Sequence, residues 1–172
     1  LRMRFSRRGS DHNYQRSNAI RNIAFEVSDA ARTLAARVLG ESMETGHRQI
    51  LAIELVDALC DAAAIDICNV KVSEARQYHR SSGGRIVMRQ YGYYRPASKY
   101  IYITNRTAVR GQLLASKTFL ETLLHEWMHH YDQVKLGLQS IHSSGFYARL
   151  DSLRVVHPNK GVSPLYDQNA VV

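Results

Sequence analysis

A chain of 172 residues, 45% hydrophobic and 22% charged, has the size and make-up of one globular domain that can bury a core without disulfide staples. No apolar run reaches the roughly eighteen residues that a membrane-spanning helix needs, and the opening LRMRFSRRGS has basic residues with no apolar stretch behind them, unlike a secretory signal. Cys60 and Cys68 are too few for a disulfide scaffold and read as buried thiols, an easier fit to a reducing compartment and so to a cytoplasmic or nucleic-acid-associated intracellular protein.

The elements follow in chain order. Residues 1–18 are polar, Arg-rich and aperiodic, and read as a basic arm. From Ala19 to Leu39 the residues Ile20, Ile23, Ala24, Val27, Ala31, Leu34 and Val38 form one apolar stripe at helical spacing, with Gly40 as its stop. A second helix is predicted from Gly46 to Ala64, and a short strand over Ile65–Val72. Residues 73–84 are polar and end in Ser-Ser-Gly-Gly, a turn. Strands are expected over Ile86–Tyr94 and Tyr100–Thr104. Tyr100, Ile101, Tyr102 and Ile103 are all apolar-bodied, so both faces of the second strand should meet other protein or a ligand. Leu113 to Leu136 reads as a long core helix ended by Gly137, and Ser144 to Val155 as a last helix. Pro158, Gly161 and Pro164 mark an irregular tail. Helices, a small sheet, then two helices make an α+β fold, with a single domain over 19–157 between the arm and a tail at 158–172.

The net charge of +8 is unevenly spread: residues 71–110 carry nine Lys or Arg against the single acid Glu74, whereas residues 111–172 balance at five and five. Such clustering attracts anions, nucleic acid above all, and the Arg-rich arm adds to it; a solvated basic face is the plainer reading.

Within the long helix stands His125-Glu126-Trp127-Met128-His129. Histidines four apart leave the same helix face and can share one tetrahedral Zn²⁺. Glu126, beside the first of them, falls where a general base is wanted to take a proton from a water that the metal acidifies. The alternative for this run is a pair of structural histidines with a surface glutamate. A catalytic zinc takes three protein ligands. No glutamate follows Glu126, which leaves His130, Asp132, His142, Asp151, His157 and Asp167 as third candidates. His130 faces away from the pair, and Asp132 is better placed to hold the outer nitrogen of a ligand histidine. His142, just beyond the Gly137 turn and expected at the start of the following helix, which would carry it, is the favoured third ligand, with His157 as its substitute. His12, His47 and His79 have no partner at ligand spacing. Glu121, one turn before His125, could bond a ligand imidazole or make an ordinary i,i+4 pair. Tyr131, Tyr147, Tyr166, Tyr91, Tyr93 and Tyr94 are all candidates to steady an oxyanion, and the sequence selects none of them.

The run HEWMHHYD followed by IHSSGFYARLDSL resembles the zinc metallopeptidase domain of the SprT/Spartan-like family, over about residues 84–155. The resemblance implies a minimal zincin-like domain with His125, His129 and His142 as metal ligands, Glu126 as general base, and Phe146 as the aromatic four residues after the third ligand. It also implies that Tyr100–Thr104 is the edge strand before the active-site helix, where an extended peptide can pair. The cysteine zinc ribbon that members often carry is missing, and Asp132 and Lys135 stand where metzincins have Gly and their third His. The expected function is a zinc-dependent endopeptidase acting on extended or locally unfolded protein, including protein associated with DNA. The alternative is a basic, nucleic-acid-associated or structural module that keeps the zinc site with little or no proteolysis. A metal-free helical binding protein is a third reading.

Overall fold

The computed structural model describes residues 7–76, 78–82, 85–153 and 155. Three helices come first: α1 (Arg7–Ala19), α2 (Asp29–Gly40) and α3 (Thr45–Ala63). Five strands follow, β1 (Asn69–Arg76), β2 (Tyr78–Ser82), β3 (Arg85–Gln90), β4 (Gly92–Arg95) and β5 (Tyr100–Arg106), and then α4 (Ser116–Val134) and α5 (Ser144–Ser152). The α+β class expected from the sequence is the class observed. Among the described residues no helix is long and apolar enough to cross a membrane.

Strand order in the main sheet is β1-β5-β4, with β1 parallel and β4 antiparallel to β5; β2 and β3 form a separate hairpin. The inward positions Val70, Val72, Ile101 and Ile103 join one core with Leu55, Leu59, Leu123 and Trp127 from the helices. Ile101 and Ile103 are fully buried while Tyr100 and Tyr102 alternate with them at half-buried positions, so β5 has one dry face and one wetter one. Cys60 and Cys68 are free and buried, with the Trp127 indole N–H donating to Cys60 Sγ (3.4 Å).

Several sequence expectations change here: the strand expected over Ile65–Val72 runs from Asn69 to Arg76, and the polar stretch 73–84 contains β2. The basic arm is helical from Arg7 onward, because α1 has a docking partner: Arg16 donates to Leu136 O (2.9 Å) and Asn13 bonds both backbone groups of Gln139. The helix predicted from Ala19 begins only at Asp29, where Ser28 caps it by accepting from Ala31 N (3.2 Å). Residues 20–28 instead form a strap whose backbone N–H groups are met by tertiary partners, Ile23 N by Ser152 Oγ (3.0 Å) and Ala24 N by Tyr131 Oη (3.0 Å). Phe25 packs its ring on Trp127 and Tyr131 (centroids 5.9 and 5.6 Å). The apolar residues Ile23 and Val27, which mimic a helical stripe, thus pack half-buried against the core from a non-helical segment. Finally, Ile86–Tyr94 is two strands in different sheets, broken at Tyr91, and β5 lies between two neighbours rather than at an edge. The edges of this sheet are β1 and β4.

Gly92 lets β4 sit close to α4: a Cβ there would meet Tyr102 O at 2.7 Å and Thr122 Cγ2 at 3.1 Å. Buried Arg48 fixes the starts of α3 and α4 against β5, donating to Asn105 Oδ1 and to Ser116 Oγ (3.1 Å), with its guanidinium over the Phe119 ring.

Candidate metal centre

α4 is buried along most of its length by Phe119, Leu120, Leu123, Leu124, Trp127, Met128 and Tyr131. These side chains fix the rotation of the helix about its axis, and so fix where the imidazoles of His125 and His129 emerge. The helix ends at Lys135; Gly137, with φ +60, turns the chain, and Leu138 N closes back on Asp132 O (3.0 Å). The loop then returns to Ser143, which caps α5 by accepting from Phe146 N (3.1 Å). His142 is the residue before that cap, in the loop rather than in the helix.

This return brings the three histidines together. The Nε2 atoms of His125 and His129 lie 2.9 and 3.0 Å from Nε2 of His142, and one ligand atom from each residue falls within a common 4.8 Å. Nitrogen ligands at about 2.0–2.1 Å from a tetrahedral Zn²⁺ stand about 3.3 Å apart, so three Nε2 atoms this close fit one such ion after a small outward relaxation. Phe146, fully buried, floors the cluster, with its ring 4.6 to 5.3 Å from all three imidazole centroids. The donor chemistry fits as well. Burial, with like-charged neighbours adding to it, drives His125 down to about 2 and His129 down to about 3, and burial also lowers His142. The imidazoles are therefore held neutral, the form a metal binds.

His129 is oriented from behind. Its Nδ1 lies 2.7 Å from Ser140 Oγ, which donates to Asp132 Oδ2 (3.0 Å). Since the Ser140 proton goes to the carboxylate, Nδ1–H of His129 donates to Ser140 and Nε2 keeps its lone pair for a metal. Asp132 is fully buried and held by Arg149, whose Nε and Nη2 reach its two oxygens at 2.8 and 2.7 Å. Arg149 in turn donates to the carbonyls of Ser17 (2.7 Å) and Ile20 at the end of α1. Asp132 thus serves a ligand histidine at one remove. Ser140, the intermediary, was missed by sequence reading: a lone serine in a loop carries no signal of its own.

Glu126 lies against the sheet side of α4, only 6% exposed. Burial pushes its carboxyl up to about 8, opposed by the Tyr94 backbone N–H that it accepts. Glu126, His125, His129 and His142 all line a cleft of about 610 Å³, and Tyr91, Gly92, Tyr93, Tyr94 and Pro96 form its opposite wall.

The other candidates go elsewhere. His130 is buried, its Nε2–H donating to Asp66 O (2.8 Å) and its Nδ1 facing the Tyr94 hydroxyl (2.9 Å). That commits Tyr94, and Tyr131 is committed to the strap at Ala24. Tyr147 stands 6.0 Å, ring to ring, from His142, and Tyr91 and Tyr93 border the cleft. Glu121 stands 3.8 Å from Lys117, in the i,i+4 pair that was one of the two roles open to it. His47 pairs with Glu41 and His12 is exposed, both away from the cluster. Asp151 is an exposed residue of α5. His157, Tyr166 and Asp167 lie outside the described residues, as does the tail expected at 158–172. No family model, curated protein or solved structure matches this chain.

Proposed function

We propose that this chain is a zinc-dependent endopeptidase of the SprT/Spartan-like kind, acting on extended or locally unfolded protein segments. The observation that carries this reading is the convergence of three imidazole nitrogens beside a buried glutamate, in the wall of a cleft bordered by a sheet edge. A histidine trio without a carboxylate among its ligands suits Zn²⁺ better than Mg²⁺ or Ca²⁺, which prefer oxygen. Bound zinc supplies a Lewis acid that acidifies water and polarises the scissile carbonyl.

The chain's own residues do the rest. Glu126 receives the proton of the attacking water and delivers it to the leaving amine. Its neighbour in space, the Tyr94 N–H, holds the carboxylate in place. Alternate residues of an antiparallel pair turn their backbone groups away from the partner strand. With Tyr93 set opposite Tyr102 and the Tyr94 N–H taken up by Glu126, the outward groups left for a substrate are those of Gly92 and the carbonyl of Tyr94. An extended peptide would continue the sheet there, beside Glu126 and the histidines. The nine basic residues of segment 71–110 favour substrates associated with nucleic acid.

Glu126→Gln tests the central role. The variant is expected to retain stoichiometric zinc and the wild-type fold, and to lose at least about a hundredfold in casein hydrolysis, the usual scale of general-base removal. Cleavage at the wild-type rate would remove Glu126 from the chemistry. Zinc in both proteins with cleavage by neither would leave a metal-holding module instead.

A further inference from the structure

We propose that Gln133 binds the substrate, its side-chain carbonyl accepting an N–H of the peptide one helical turn beyond His129. The contact rests on the peptidase reading of the cleft and adds to it a residue that selects the peptide.

The placement comes from α4. Gln133 follows His129 by four residues, so both side chains leave the same face of the helix, about 6 Å apart along its axis. Gln133 is half-buried and lines the cleft together with His125, Glu126, His129 and His142. An extended chain rises about 3.3 Å per residue, so the peptide residue that meets Gln133 lies within about two of the scissile bond.

A run of hydrogen bonds behind the cleft decides which end of the amide faces the peptide. His130 is fully buried, and its Nε2 lies 2.8 Å from the backbone carbonyl of Asp66. A carbonyl can only accept, so Nε2 carries the proton. Burial lowers His130 below its ordinary value and keeps the ring neutral, which leaves a lone pair on Nδ1. The Tyr94 hydroxyl, 2.9 Å away, donates to that lone pair. Its single proton is then engaged, and the Gln133 amide, 3.0 Å from the same oxygen, can meet it only as a donor. The NH2 of Gln133 therefore sits on Tyr94 Oη, and the amide carbonyl turns to the cleft. Among the described residues Tyr94 is the one side-chain partner of this amide.

A carbonyl anchored in this way reads a donor and is already set for it before the peptide arrives. The described lining of the cleft contains no Lys or Arg, and Glu126 is its one carboxylate. A substrate Asp or Glu at this position would set its oxygens against the Gln133 oxygen with no cation to relieve them, and is selected against. A backbone N–H, or the side chain of Asn, Gln, Lys or Arg, is accepted.

The test uses the zinc-loaded full chain carrying Glu126→Gln, so that peptide is bound without turnover, and fluorescein-labelled reduced casein read by anisotropy. Gln133→Leu and the unbranched Gln133→Met should each weaken binding about fivefold, the scale of one hydrogen bond, with zinc content unchanged. Tyr94→Phe frees the amide from its anchor and should weaken binding about twofold, yet add nothing further in the Gln133→Leu chain. No binding of casein, an affinity unmoved by both Gln133 substitutions, or full additivity with Tyr94→Phe would overturn the proposal. Cleavage-site mapping on casein with Glu126 intact then identifies the donor. Depletion of Asp and Glu at one position near the cut, lost in Gln133→Leu, points to a substrate side chain; a uniform rise in KM with kcat held points to the backbone N–H. Absence of cleavage by the wild type would remove the peptidase reading, while the anisotropy still decides the contact at Gln133.

Discussion

Ser140 connects the candidate ligand His129 to a buried ion pair, and its hydroxyl is the element of the site most open to a clean test. Its Oγ takes the outer N–H of His129 and passes its own proton to Asp132. Ser140→Ala removes both bonds and leaves His129 free to rotate and Asp132 short of a donor. Zinc affinity measured by chelator competition should fall about tenfold or more, with the fold intact by circular dichroism. An unchanged affinity would show that Phe146 packing alone orients the ring. Glu126 offers a second test at this scale, in the metal-free protein. Burial raises its carboxyl from the ordinary 4.5 to about 8. The unfolded chain releases this proton near the ordinary value, so stability falls as pH rises from about 4.5 to about 8 and stays low above that. His125 and His129, held below their ordinary 6.5, act in the opposite sense and withdraw stability as pH falls below that value. Glutamine does not titrate, so comparing metal-free wild type with Glu126→Gln isolates the carboxyl. The difference in Tm in favour of the variant should widen from pH 5 to pH 8; a constant difference would mean that Glu126 ionises in the fold as it does in water.

At the scale of elements, the loop that carries Ser140 and His142 is held between α4 and α1. α5 reaches α1 so closely that a Cβ at Gly145 would meet Ser17 O at 1.9 Å, and Gly145 N donates to Asn18 Oδ1 (3.1 Å). The backbone of Ser17 cannot yield cheaply, because its carbonyl accepts from Arg149 and its hydroxyl lies 2.6 Å from Ser143 Oγ. Gly145→Ala should therefore cost about 2 kcal/mol in denaturant unfolding, within the range of overpacking a tight contact. A cost near zero would mean that α1 moves freely on α5. Gly145 is thus the point at which the last helix is anchored on α1. The elements that were legible were those whose local pattern and tertiary fate agree. α3 and α4 fall within a few residues of expectation, since a helix with a broad apolar stripe has one way to be buried. The start of α2 was not legible, because Ile23, Phe25 and Val27 pack half-buried against the core from a strap that shares the composition of a helix face. The break at Tyr91 was equally silent, since both halves of that segment have strand composition and differ only in which neighbour they pair with.

Across the whole molecule, a continuous set of hydrogen bonds runs from His129 through Ser140, Asp132 and Arg149 to the carbonyls ending α1. It ties the metal cluster to the N-terminal segment that composition alone presents as a solvated arm. On the other side of α4, β4 is shared: its inner residues reach Glu126 and the cleft, and its outward Tyr93 stacks on Tyr102 of β5. The sequence by itself determined the α+β class, the helix bearing His125, Glu126 and His129, and the candidacy of His142. Those features follow from local periodicity and from ligand chemistry at fixed spacing, which survive whatever the rest of the chain does. Only the tertiary structure decided that β5 is central and β4 an edge, that α1 docks, and that Ser140 stands between His129 and Asp132. Strand order, docking and a three-residue relay depend on which distant segments meet, and no residue's own spacing in the chain encodes that.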